Sequence, residues 1–452
     1  MSCERIRPVL RFLAFILALG VVAALIAACG GGGEEEGTAT ATGTPAGTGT
    51  PAATGTATPA ATGAPGAKAP GITDTEILLG VDAPLAGVSG AVYSQIPKAT
   101  EAYFKYINDT QGGVCGRKIV YLMEDNQNDP AIGLEAVRKL VERDKVFAMV
   151  GSLADDPHAA SWGYLNDNEV PDILVSAGAH RFGTDPLGHP WTYQMIPSYV
   201  TEGTFYGQYI SQNLPGKKVG VLAESGPAGP DGLAGLKSGL DPTKNEIVSE
   251  QSFELTALSI RSEVTNLKQA GAEVVVIFTD PGFTSQAVKE ASRLGWRPQW
   301  VVSYVNSDEM MFQFASPQDM EGAITFQAFK LASMKDDPAI AKHWELMKKY
   351  GGPQPTNFSV YAQLLGEVAV EALSRTCDNL TREGLIDAVK SIKEWHSDLL
   401  LDGVNVTFSE TDHTALQTGR MLRAAVENGK GKWEYFGPLY QFGEQAQSGQ
   451  GD

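Results

Sequence analysis

From Gly71 onward the sequence alternates between two textures, and that alternation leaves few folds open. Short, largely apolar runs such as EILLGVDAP (76–84), KIVYLMEDN (118–126), VFAMVGSL (146–153) and DILVSAG (172–178) are one texture. Runs apolar on both faces suit strands buried inside a parallel sheet. The other texture is helical. Ile96, Ala99, Tyr103, Tyr106 and Ile107 recur at helical spacing, and Gly112 and Gly113 stop that helix. Leu134, Val137, Leu140 and Val141 repeat the pattern. Strand–helix alternation of this kind predicts a doubly wound α/β sheet.

The alternation restarts after residue 216. KKVGVLAES, AEVVVIFTD, QWVVSYVN and GAITFQAF form a second strand set, with helices such as SQAVKEASRLGW between them. A long helical region follows (360–395), and the last strand-like run is GRMLRAAVENGKGKWEYF. Two α/β units predict a two-lobed protein. In open α/β sheets a ligand sits beyond the carboxyl ends of the strands. The loops there are PLAGVSGAVY, GSLADDPH and SAGAHRF in one unit, and ESGPAGPDG, TDPGF and SYVNSDE in the other. They are rich in Gly, Ser and other small residues, so a ligand can approach backbone N–H groups. A cleft between the units is where they would converge.

The first 28 residues have a different logic. Arg5, Arg7 and Arg11 precede an uncharged apolar run (12–28), and the small residues Ala27 and Ala28 lead to Cys29. This is the tripartite form of an export signal, and the run is marginal for a spanning helix. IAAC (26–29) resembles the lipobox of bacterial lipoproteins, which implies cleavage before Cys29 and lipidation of its thiol. An uncut signal anchor and an ordinary secreted protein are the other readings. Residues 30–70 are Gly, Thr, Ala and Pro with almost no large apolar side chain. Such a segment cannot offset its ordering entropy, so a disordered tether with a reach of roughly 35 Å is expected.

Charge narrows the partners. The whole chain carries −18, and Arg5, Arg7 and Arg11 against Glu4 give the signal +2, which leaves −20 for the rest. That balance repels nucleic acid and anionic surfaces. An enzyme would need a nucleophile–base pair or a metal constellation. The sequence has no G-x-S-x-G, no H-E-x-x-H and no paired cysteine motif. His180 and His189 lie nine residues apart without matched Cys or carboxylate spacing, so no metal site is read there. GPAGPDGLAG superficially resembles a phosphate loop. Its prolines remove N–H donors and neither phosphate-loop spacing is met, so it reads as a turn. Trp191 and Trp296 read as packing residues.

From Gly71 to about Tyr440 the chain resembles type I periplasmic ligand-binding proteins, in the branch related to Leu/Ile/Val-binding proteins of ABC importers. The resemblance rests on GVDAPLAG, NDTQGGVCGRKI, EDNQNDP, VPDILVSAGAHRF, HPWTYQMIPSYVTEG, GLKSGL, LGWRP, VYAQLLGEVAVEAL and LTREGLIDAV, in that order. It implies a two-lobed fold, each lobe a doubly wound, mainly parallel sheet flanked by helices. Lobe 1 would take 71–194 and 331–405, and lobe 2 would take 195–330 and 406–440, with 441–452 a tail. Hinge strands would join the lobes, and closure would trap a solute. It further implies a monomer without cofactor or catalysis. Such a protein captures a small solute at the outer face of a bacterial cytoplasmic membrane and delivers it to permease subunits. The alternatives are a ligand-sensing receptor of the same fold and a hydrolase hidden in the cleft.

The family's site carries over in part. The first loop matches at Gly87, Val92 and Tyr93. The second loop, with Leu153, places Asp155 where the family supplies a Ser or Thr for a ligand carboxylate. The third loop offers Ala177, Gly178 and Ala179, with no hydroxyl at Ala179. In lobe 2, near Ser225, Ala228 stands where the family closes an aromatic ring. Tyr361 matches a family Tyr, and Asp280, Phe283, Tyr304 and Asn306 sit on the remaining loops. An ionised Asp155 repels an α-carboxylate. The expected ligand therefore presents a hydroxyl, amide or cationic group near Asp155, in a roomy pocket. Cys115 and Cys377 each follow the end of a crossover helix. In a 2-1-3-4-5 sheet the first and last crossover helices share one face, so a Cys115–Cys377 disulfide is expected, the alternative being two unpaired buried cysteines.

Overall fold

The computed structural model describes residues 69–442. The expected signal segment 1–28, the lipidation site Cys29, the linker as far as Lys68 and the tail from residue 443 lie outside the described residues. The strands are β1 (Glu76–Ala83), β2 (Lys118–Asp125), β3 (Ala148–Val150), β4 (Asp172–Val175), β5 (Thr192–Gln194), β6 (Lys218–Glu224), β7 (Glu246–Phe253), β8 (Val274–Phe278), β9 (Gln299–Val302), β10 (Ile324–Gln327), β11 (Thr418–Glu427) and β12 (Lys430–Gln441). They build a five-stranded sheet ordered β2-β1-β3-β4-β5 and a seven-stranded sheet ordered β12-β11-β10-β9-β8-β6-β7. Every pairing from β1 to β10 is parallel; β11 and β12 add an antiparallel edge. The expected α/β fold with two doubly wound sheets is present.

Both sheets are covered on both faces, which is why their strands carry near-continuous apolar runs. Ile77, Leu79 and Val81 of β1 enter the largest core, with the helix Asn357–Arg375 against them. On the other face Met149 and Val146 pack with Leu140. In the second sheet Leu222, Val275 and Ile277 bury into one core, while Val221, Val274 and Val276 bury into another. Helix starts follow local chemistry. Asp129 accepts the N–H groups of Ala131 and Ile132 ahead of Pro130, and Thr356 and Ser359 form a reciprocal capping box.

GPAGPDGLAG is not a turn. A helix runs Ala228–Gly239, with Pro230 inside its first turn, where a missing N–H removes no intrahelical bond. Its glycines allow backbone contact with the helix Tyr199–Asn213. A Cβ on Gly235 would lie 2.1 Å from the Val200 carbonyl oxygen, and one on Gly239 would lie 2.0 Å from that of Thr204.

The chain passes between the sheets three times: after β5, after β10 and before β11. The last passage falls later than residue 406. Val406, Phe408, Ala415 and Leu416 are fully or almost fully buried in the first core, and Gln194 bridges Thr414, so the chain turns to the second sheet only at Thr418. Cys115 and Cys377 form a disulfide across 262 residues of sequence. Among the described residues no helix is long and apolar enough to cross a membrane.

Candidate functional site

A cavity of about 150 Å³ lies between the two sheets. Its walls come from the carboxyl ends of the parallel strands. Pro84 follows β1, Asn128 follows β2, Leu153 and Asp155 follow β3, and Ser176 follows β4. Glu224 ends β6, Leu255 follows β7, Thr279 follows β8, and Ser303 follows β9. The three passages between the sheets complete it through Ile196 and Pro197, Gln327 to Phe329, and Leu416. The lining is mostly apolar and includes seven aromatic side chains: Tyr93, Tyr199, Tyr304, Phe326, Phe329, Phe358 and Tyr361. Its acids are Asp155, Asp156, Glu224 and Asp280; no Lys, Arg or His lines it among the described residues.

The acids are held by named donors. Ala154 sits at φ 93°, a conformation rare for a residue with a side chain, at the turn into the helix Asp155–Asp167. Just past that turn, Asp155 Oδ1 accepts the Ala179 N–H at 2.8 Å and its Oδ2 accepts the Tyr199 hydroxyl at 3.0 Å. Burial pushes the Asp155 carboxyl up to about 6 against those two hydrogen bonds. Burial also pushes Glu224 up to about 8, while the Thr279 hydroxyl, donating to Oε2 at 2.8 Å, pulls it down. Asp280 caps the helix Pro281–Arg293 by accepting the Phe283 N–H at 3.0 Å, and burial raises its pKa too. The Tyr93 hydroxyl is pushed well up, first by burial and then by the negative field of Asp280, Glu224 and Asp155.

The sequence-predicted residues divide. Tyr93, Leu153, Asp155, Ala228, Asp280, Tyr304 and Tyr361 line the cavity. Tyr361 is fixed by a 2.6 Å hydrogen bond with the Ser176 hydroxyl, and Tyr304 donates to the Pro197 carbonyl at 2.8 Å. Others stand behind the wall. Val92 is in the first core, and Ala177 packs with Phe182. Gly178 lies under the Tyr199 ring, where a Cβ would come within 2.4 Å of it. Phe283 packs on Phe253 with ring centroids 4.7 Å apart. Asn306 braces its turn by donating to the carbonyls of Thr279 and Ser303. Gly87 starts a short helix at φ 72° with no atom near its Cβ position. Ala179 and Ser225 line a separate, more open groove, together with His180, Arg181 and Asp231. There the His180 N–H donates to Asp231 Oδ2 at 2.8 Å, tying a loop of the first sheet to a helix of the second. His189 hydrogen-bonds Asp185 at 2.7 Å and stacks on Trp162.

Sequence reasoning missed Glu224, Ser176, Thr279 and Ser303, although each lies inside a loop it had marked. Reading the last residue of each strand and the one just after it would have found them. The passages between the sheets, with Ile196, Gln327, Phe329 and Leu416, carry no local signature.

Comparison with known proteins adds a lineage. The family described as periplasmic binding protein matches residues 76–432. A curated relative, the Leu/Ile/Val-binding protein homolog 1 of Brucella suis, is 24% identical over 332 residues, covering 71% of this chain and 82% of its own. Among solved structures, a fatty acid ABC transporter substrate-binding protein from Thermomonospora curvata superposes with TM-score 0.73 at 24% identity, covering 85% of this chain and 97% of that one. A branched-chain amino acid ABC transporter protein from Thermus thermophilus with bound valine gives TM-score 0.68 at 20% identity, covering 81% and 97%.

Proposed function

We infer, from the premise that this chain belongs to the periplasmic binding protein family, that it is the extracytoplasmic solute receptor of an ABC importer. It captures a small solute between its lobes and presents it to membrane permease subunits. The observation that carries this reading is the cavity itself, walled by strand ends of both sheets and floored by the segments that join them. A solute there touches both halves at once, so binding favours the arrangement that brings them together. The branched-chain amino acid and fatty acid receptors similar in fold support the same class.

The first lobe would comprise 71–194 and 331–417, and the second 195–330 and 418–440. Cys29 would carry the lipid and residues 30–70 would act as the leash, which places the receptor at the outer face of the cytoplasmic membrane. The solute is small and largely apolar, with a hydroxyl, amide or cationic group toward Asp155. A cavity of this size is one that benzene fills. A free carboxylate is disfavoured, because among the described residues the lining offers acids and no cation.

The test is a thermal-shift survey of the purified protein against branched-chain amino acids, amides, amines, short fatty acids, aromatic acids and sugars. A true ligand at a hundred times its dissociation constant adds about 2.7 kcal/mol. One-to-one binding of an unmodified solute is expected. Turnover of the solute, or no stabilisation by any class, overturns the reading.

A further inference from the structure

Glu224 is 8% exposed, and what it exposes faces the cavity. Its Oε2 accepts the Thr279 hydroxyl, and no described residue hydrogen-bonds its Oε1. That oxygen keeps some accessible surface, and Glu224 is among the residues that line the cavity. A carboxyl oxygen that is mostly buried and has no protein partner is left for water or a solute to satisfy. Around it stand Asp155 and Asp280, themselves partly buried, with Asp156 at the exposed rim. Tyr93 feels the field of Asp280, Glu224 and Asp155, and its ring packs 5.8 Å from that of Phe358. Carboxyls that share an otherwise apolar chamber with aromatic rings match one ligand chemistry. The ring faces attract a cation, the carboxyls pair with it, and the apolar wall takes the rest of the molecule. A metal ion fits this lining poorly, because it would need several oxygen ligands and would leave the aromatic wall empty.

We propose that the solute is an organic monocation, a small alkyl- or arylammonium, whose charged nitrogen sits between the Tyr93 ring and the carboxyls of Glu224, Asp155 and Asp280. This rests on the solute-receptor reading and narrows it. The groups facing Glu224 are Asp155 and Asp156 from one helix, Asp280 and Thr279 after β8, Tyr93 from the first loop, and Tyr199 at the start of the helix Tyr199–Asn213. The basic residues nearby, His180 and Arg181, line the adjoining groove instead. In the free protein burial pushes the Glu224 carboxyl up to about 8. An ammonium beside it favours the charged form, so binding expels a proton below that pH, and affinity rises as pH goes from about 6 to about 8.

The experiment is calorimetric titration of the purified protein with benzylammonium, choline, benzyl alcohol and benzoate. At least one of the two cations binds about tenfold or more tightly than the alcohol, and benzoate binds weakest. In buffers of different ionisation enthalpy the cation's apparent heat differs, reporting proton release. Glu224→Gln lowers the cation's affinity by about tenfold or more and the alcohol's by less, and flattens the pH dependence. Tyr93→Leu weakens the cation by a few-fold, and Tyr93→Phe restores most of it. Melting temperatures of all variants check the fold. The proposal is overturned if the alcohol or benzoate binds as well as the cations, or if Glu224→Gln leaves cation affinity unchanged; the receptor reading then survives. If none of these probes and no solute of the wider survey binds, both fall.

Discussion

Glu202 shows how a single buried acid shapes the behaviour of the free protein. It is fully buried, and its carboxylate accepts the Tyr304 N–H at 2.7 Å and the Ser303 hydroxyl at 3.0 Å. Burial raises its pKa from the ordinary 4.5 to about 8, as it does for Glu224. Between those values the native state keeps a proton that the unfolded chain has lost. Stability is therefore greatest below about 4.5 on this account and declines as pH rises to about 8. Glu202→Gln should flatten that decline and raise the melting temperature at pH 8, read by calorimetric melts across the range. Ala154, at φ 93°, makes a second residue-scale case. Ala154→Gly removes the conflict between side chain and backbone there and should stabilise by about 1 kcal/mol, read from the denaturant midpoint. Asp155 and Tyr361 were legible in the sequence because each sits at a landmark, a loop after a strand and the start of a long helix. Glu224 was not, because the end of an apolar strand looks like more strand.

At the scale of elements, the strands were easy to read for a physical reason. Buried parallel strands must be apolar on both faces, so KKVGVLAES and AEVVVIFTD announce themselves. The helix Ala228–Gly239 was hidden by its glycines and prolines, which by intrinsic propensity argue against any helix. The helix exists because those glycines let it lie backbone-to-backbone on the helix Tyr199–Asn213, and that packing outweighs propensity. Gly235→Ala tests this. Its Cβ would stand 2.1 Å from the Val200 carbonyl, so the helices must separate, although alanine is the better helix former. We expect a loss of about 1–3 kcal/mol, read as a lower urea midpoint with an unchanged slope.

For the whole molecule, the passages between the sheets matter most, and they are what sequence reading locates least well. The return to the second sheet at Thr418 rather than 406 is set by Phe408, Ala415 and Leu416 reaching into a distant core, a contact no local pattern encodes. Two predictions belong here. Cys29→Ser should release the protein from membranes into the soluble fraction without altering solute affinity, checked by fractionation and titration. Cys115→Ser together with Cys377→Ser should cost about 2–5 kcal/mol, since the bond spans 262 residues, checked by equilibrium unfolding with and without reductant. The same bond makes the chain, topologically, a ring with two tails. Strands β6 to β10 are all strung on that ring between Cys115 and Cys377. A protease that nicks it once, anywhere on the loop, leaves a single covalent molecule. The two pieces part only when a reductant is added, so a nick in β6 to β10 stays invisible on a gel run without one.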